Sequence, residues 1–121
     1  MKRCLIVDDS RVVRKVAGRI VEDLQFEVVE AADGAEALEK CREAMPDAVL
    51  LDWNMPVMNG LDFLRALRRE PKGADPIVLF CSTENDANHI GEAVRTGANE
   101  FIMKPFDFEI IESKFAEAGL L

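Results

Sequence analysis

Cys4-Leu5-Ile6-Val7-Asp8-Asp9-Ser10 is the stretch on which the fold turns. Four apolar residues run straight into two carboxylates and a hydroxyl, and an amphipathic segment begins directly after them. A short apolar run with so abrupt a polar end reads as a buried strand. The pattern returns further along the chain. Asp52 follows Ala48-Val49-Leu50-Leu51, Ser82 follows Ile77-Val78-Leu79-Phe80-Cys81, and Lys104 follows Phe101-Ile102-Met103. If these strands lie parallel, their carboxyl ends share one edge of a sheet, and open α/β sheets bind ligands at that edge.

Working outward, strand-like runs fall at 3–7, 27–31, 47–51, 77–81 and 100–103, with helical stretches at about 10–24, 34–44, 59–69, 84–96 and 108–118. In the first helical stretch Val12, Val13, Val16, Ile20 and Leu24 recur near the 3.6-residue period of an amphipathic helix. Ser10 or Asp9 is suited to cap it. Asp33-Gly34 and Pro71-Lys72-Gly73 read as turns. Pro46 and Pro76 stand just ahead of strands, where a missing N–H does little harm. Strands alternating with helices predict a βαβ repeat, that is, a parallel sheet with helices on both faces. At 121 residues the chain is expected to be one α/β domain spanning 1–121, with no output domain attached.

The chemistry follows from the shared edge. Three carboxylates, a hydroxyl and an ammonium would meet in one shallow pocket. A pair of carboxylates about 4 Å apart costs roughly 4 kcal/mol at an effective dielectric near 20, and Lys104 supplies only one compensating charge. A divalent cation would offset the rest. An all-oxygen site with room for waters suits Mg²⁺, with Mn²⁺ also acceptable, better than Zn²⁺. Metal and lysine together leave a positive hole beside one carboxylate, which suits a phosphoryl group. Carboxylates are competent nucleophiles for phosphoryl transfer, and the cations would neutralise the charge that spreads during it.

The composition narrows the setting. A formal charge of −8 disfavours non-specific binding to nucleic acid or anionic membranes and suits contact with basic protein surfaces. No apolar stretch approaches the roughly 20 residues that a membrane span needs. Met1-Lys2-Arg3 is basic, but an Asp pair closes the short apolar run that follows, so it is not a signal peptide. A cytoplasmic location is expected. The 3 cysteines match no metal or redox spacing and read as buried reduced thiols. His89 sits in a polar stretch and reads as a solvated surface residue, as do Arg65, Arg68 and Arg69. The group Phe106, Phe108, Ile110, Ile111 and Phe115 reads mostly as core.

Taken together, several motifs resemble the response-regulator receiver domain family from end to end. They are Val7-Asp8-Asp9-Ser10, Asp33-Gly34-Ala35-Glu36-Ala37-Leu38, Leu51-Asp52-Trp53-Asn54-Met55-Pro56-Val57-Met58-Asn59-Gly60, Thr96-Gly97-Ala98 and Lys104-Pro105-Phe106. The resemblance implies a single (βα)5 flavodoxin-like doubly wound sheet with five parallel strands in the order 2-1-3-4-5, an order long known from a chemotaxis receiver. It implies that Asp52 is the phosphoacceptor, charged by a histidine kinase. Asp9 and Asp52 would hold Mg²⁺ directly, the Asn54 backbone carbonyl would be a further ligand, and Asp8 would act through water. Lys104 and Ser82 would contact phosphoryl oxygens. A cis peptide is implied between Lys104 and Pro105. Ser82 and Phe101 would form the switch: the hydroxyl moves toward the phosphoryl group, Phe101 turns inward, and the face made by helix 4, strand 5 and helix 5 changes.

Trp53, Asn54 and Glu84 flank the site as in single-domain chemotaxis (CheY-like) receivers. Asn54, Thr83 and Glu84 are therefore expected to tune dephosphorylation, with Thr83 standing where the family prefers a smaller residue. The expected protein is a monomeric stand-alone response regulator, a switch that catalyses only its own phosphorylation and dephosphorylation. Its target would be a flagellar motor switch protein. The absence of tyrosine leaves Phe101 without the hydroxyl common in chemotaxis members. That keeps open a phosphorelay intermediate, or a cell-cycle or stress adaptor, passing phosphate to a histidine phosphotransfer protein. An aspartyl phosphatase ranks lower, because its usual acid two residues after the nucleophile is Asn54 here. A purely structural flavodoxin-like module is the plainest alternative.

Overall fold

The computed structural model describes residues 1–83 and 87–121. Its elements alternate as the sequence predicts: β1 (Arg3–Val7), α1 (Arg11–Asp23), β2 (Glu27–Ala31), α2 (Gly34–Glu43), β3 (Ala48–Asp52), α3 (Gly60–Arg69), β4 (Ile77–Ser82), α4 (Ala87–Thr96), β5 (Glu100–Met103) and α5 (Phe108–Glu117). The expected strand at 47–51 moves by a residue and that at 77–81 lengthens by one, because Asp52 and Ser82 are still paired in the sheet. The expected fourth helix begins at residue 84, so its first turn lies outside the described residues.

Four helices start on a side chain that accepts a free N–H of the first turn: Ser10 from Val13, Asp33 from Glu36, Asn59 from Asp62 and Asp107 from Ile110. Each such cap is worth about 1 kcal/mol. The strands pair in parallel in the order β2-β1-β3-β4-β5. Alternation along each strand divides the core in two. Leu5, Val7, Val49, Leu51, Val78 and Phe80 pack against α2 and α3, with Ala93 of α4. Cys4, Ile6, Leu50, Leu79, Cys81 and Ile102 pack against Ala17 and Val21 of α1 and Ile111 and Phe115 of α5. Burial of each large apolar side chain stabilises the fold by roughly 1.5–3 kcal/mol. The thiols belong to this core: burial pushes those of Cys4 and Cys41 up to about 12 and raises that of Cys81 as well.

Two apolar groups sit differently from their expected places. The face that α1 buries is Ala17, Gly18 and Val21, not the valine stripe, and Val12 and Val16 are 73% and 51% exposed. Small residues let the helix lie close to the sheet: a Cβ on Gly18 would already be in contact with Val28 and Ile6. In the last group Ile111 and Phe115 are core, whereas Phe108 and Ile110 face outward.

The loop between β3 and α3 is tightly constrained. A Cβ on Gly60 would lie 2.1 Å from the Asp52 carbonyl oxygen, so only glycine lets α3 begin there. Within that loop Val57 has φ +66° and is 85% exposed. A β-branched residue in the left-handed region is strained, by about 1–2 kcal/mol or more. Val57→Asn, which tolerates that region, is expected to stabilise the protein by about 1 kcal/mol. A urea unfolding midpoint equal to or below that of the parent would contradict this origin of strain.

Candidate functional site

Strand register assembles the site. Val7 is level with Leu51, so Asp8 and Asp52 emerge side by side. Asp52 is level with Cys81, and Ser82 with Met103, which places Lys104 at the same edge. The Lys104 amide donates to the Ser82 carbonyl at 2.9 Å, and the peptide joining Lys104 to Pro105 is cis. The Lys104 ammonium donates to Asp8 Oδ2 at 2.8 Å and to Asp52 Oδ1 at 2.9 Å. Asp8 Oδ1 accepts the Ser10 N–H at 2.9 Å. Asp8, Asp52 and Ser82 are buried, Lys104 is half-buried and Asp9 is exposed.

One carboxylate oxygen from each of Asp8, Asp9 and Asp52 lies within 4.8 Å of the others. In an octahedral Mg²⁺ shell with bonds near 2.1 Å, neighbouring oxygens are about 3 Å apart and opposite ones about 4.2 Å. Three hard oxygens at this spacing fit such an ion after a small closure, and softer metals have no thiolate or imidazole among them. Burial raises the Asp52 carboxyl above its ordinary range. Its hydrogen bond to Lys104 opposes that rise, while the charges of Asp8 and Asp9 add to it. Burial alone would lower the Lys104 ammonium, but its hydrogen bonds to Asp8 and Asp52 more than reverse this and raise it. The pocket thus holds a desolvated carboxylate that gains from any added positive charge.

The other expected residues fall around this centre. Asn54 is exposed just past the end of β3, and Thr83 is exposed after β4. Phe101 is half-buried on β5, level with Phe80 and packed on the same core face. Glu84 lies outside the described residues.

Three features were not legible in the chain. Arg14 donates to the Asp8 backbone carbonyl at 2.7 Å and to Glu30 at 3.0 Å, so a cation on α1 braces the acidic turn through β2. Nothing in the helical pattern separates this arginine from a solvated one. His89 is half-buried rather than solvated, its ring 4.9 Å from that of Trp53, which also packs on Phe80 at 4.8 Å. The misplaced valine stripe lines an apolar groove of about 350 Å³ with Pro105 and Phe106, and Thr83 and Lys104 join it to the acidic pocket.

Comparison with known proteins agrees with this geometry. A family model for the response regulator receiver domain matches residues 4–116. The chain is 41% identical to the chemotaxis protein CheY of Listeria monocytogenes over 98% of its own length and 99% of the relative's. Its fold superposes on the crystallised chemotaxis protein CheY4 of Vibrio cholerae with a TM-score of 0.93, at 34% identity and 98% coverage of both chains. It also resembles a chain of the CheX–CheY–BeF3–Mg²⁺ complex of Borrelia burgdorferi, with TM-score 0.91, 28% identity and coverage of 99% and 90%.

A raised carboxyl pKa has a definite sign for stability. The folded state holds the Asp52 proton more tightly than the unfolded chain, so stability falls as pH rises from about 4, the ordinary carboxyl value, through the folded value. Above that window the ionised side chain remains a cost. Asp52→Asn is therefore expected to melt at a higher temperature than the parent at neutral pH in chelator. The gap should shrink below about pH 4 and also on adding Mg²⁺. Equal melting curves at neutral pH in chelator would show that Lys104 already neutralises the site.

Proposed function

This chain belongs to the response regulator receiver domain family, and from that premise we propose that it is a phosphorylation-controlled switch with Asp52 as its phosphoacceptor. The observation that carries this reading is the one ammonium, Lys104, shared by two buried carboxylates beside a third. An Asp52 carboxylate oxygen attacks phosphorus on a phosphohistidine of a kinase. The new O–P bond gives an acyl phosphate as the P–N bond breaks, and the imidazole leaves with the electron pair. Lys104 meets one phosphoryl oxygen and the Ser82 hydroxyl another. Asp9, Asp52 and the Asn54 carbonyl would hold Mg²⁺, with Asp8 acting through water, and the ion would supply charge neutralisation. The Mg²⁺ in the Borrelia complex supports that choice of ion.

The apolar groove between α1 and Pro105-Phe106 opens onto the pocket. Its apolar lining beside Lys104 supports reading it as a docking surface for the phosphodonor. Ser82 and Phe101 then carry the change to the face formed by α4, β5 and α5, where a target binds. The chemotaxis relatives support a role in chemotaxis, and the target on this reading is a flagellar motor switch protein. The want of any tyrosine favours a second reading, in which Phe101 serves an adaptor that hands phosphate to a histidine phosphotransfer protein. Return of phosphate to such a protein would separate the two.

Incubation with acetyl phosphate and Mg²⁺ is expected to add the mass of one phosphoryl group, and Asp52→Asn to abolish the gain. A Mg²⁺-dependent gain that survives in Asp52→Asn would move the acceptor elsewhere. Thr83 crowds the phosphoryl group from the groove side, and Glu84 and Asn54 tune access of water. Thr83→Ala is expected to speed phosphorylation or hydrolysis about 3–10-fold, equivalent to roughly 1 kcal/mol of barrier. An unchanged rate of both would remove Thr83 from the site's control.

A further inference from the structure

Away from the acidic pocket, α3 and α4 enclose an open cleft of about 470 Å³ lined by Arg65, Arg68, Arg69, Glu92, Arg95 and Thr96. Four guanidinium groups thus face one carboxylate, on a chain whose formal charge is −8. Their roles divide. Arg68 is half-buried and spends its donors on neutral oxygens: the Gly97 carbonyl at 3.1 and 2.7 Å, the Gly73 and Pro76 carbonyls at 2.9 Å each, and Asn99 Oδ1 at 3.0 Å. No carboxylate is its partner among the described residues, and burial lowers its pKa, as expected of a desolvated cation. Arg65 leans on Asp62 at 3.3 Å and on Glu92 at 3.9 Å. Arg69 and Arg95 are exposed and make no hydrogen bond or ion pair among the described residues.

Basic residues in the last turn of a helix also complement its dipole. That accounts for Arg68, Arg69 and Arg95 one at a time. It does not account for Arg65, or for two helices presenting their cations to the same cleft. We propose that this cleft docks an acidic segment of a partner protein, with Arg69 and Arg95 as the free donors and Arg68 as the fixed charge behind them. Arginine suits the task, because its planar fork takes a carboxylate through two parallel hydrogen bonds. The overall negative charge selects the class of occupant. A long polyanion such as nucleic acid would meet repulsion from the rest of the surface. A short acidic peptide feels mainly the local charge, within a screening length of about 8 Å at physiological salt. The proposal is independent of phosphorylation at Asp52.

The test is an amide NMR titration of the full ¹⁵N-labelled chain at low salt with hexaglutamate peptide, and separately with a six-nucleotide single-stranded DNA. Saturable shifts are expected at residues 65–69 and 92–97. Arg69→Gln with Arg95→Gln should weaken the peptide at least tenfold, Arg19→Gln, an exposed control on α1, should change it less than twofold, and added salt should weaken it throughout. The proposal is overturned by any of three results: no saturable shift up to about 5 mM peptide, shifts centred on Lys104, or equal weakening in the Arg19→Gln control. Tighter binding of the oligonucleotide would overturn the choice of occupant.

Discussion

One ammonium group joins the ends of three strands. Lys104 at the end of β5 reaches Asp8 after β1 and Asp52 at the end of β3, across 96 and 52 residues of chain. The side-by-side emergence of those carboxylates is a consequence of parallel register, and without a cation between them it would be repulsive. The sheet edge is therefore built around a charge deficit that one lysine reduces and does not remove. The same excess of negative charge adds to the burial that raises the Asp52 carboxyl, and it explains the fit to a divalent ion.

The sequence was most legible where a residue's neighbours in the chain decide its environment. Apolar runs broken by Asp, Ser or Lys marked strands to within a residue, and Ser10, offered with Asp9 as a cap of the first helix, does cap it, because capping is a local interaction. Legibility failed where environment depends on a distant element. The valines of α1 have good helical spacing, yet the sheet takes Ala17 and Gly18 instead, since small residues allow closer approach. Arg14 and Arg68 look alike in sequence to their solvated neighbours. Only the fold shows that one meets the Asp8 carbonyl and the other a ring of loop carbonyls. His89 reads as polar surface until Trp53 is placed beneath it.

The acidic pocket is braced from outside as well as from within. Ser10 caps α1 with its side chain and holds Asp8 with its amide, so the helix start and the carboxylate cannot move separately. Arg14 fixes the same turn to Glu30, whose carboxyl is held below its usual range, first by its hydrogen bond to Lys15. On the other side Gly60 donates to the Trp53 carbonyl and Gly34 to the Met58 carbonyl, which clasps the β3–α3 loop at both ends. The turn and the loop that flank Asp52 are thus each tied down by more than one hydrogen bond.

The indole of Trp53 adds a different kind of consequence. The chain has 1 tryptophan and 0 tyrosines, so its intrinsic emission arises from one ring. That ring follows Asp52 directly and lies against Phe80 below and His89 of α4 above. The molecule thus carries its own optical probe at the join between the acidic pocket and the helix over it, and needs no attached dye to make either one visible.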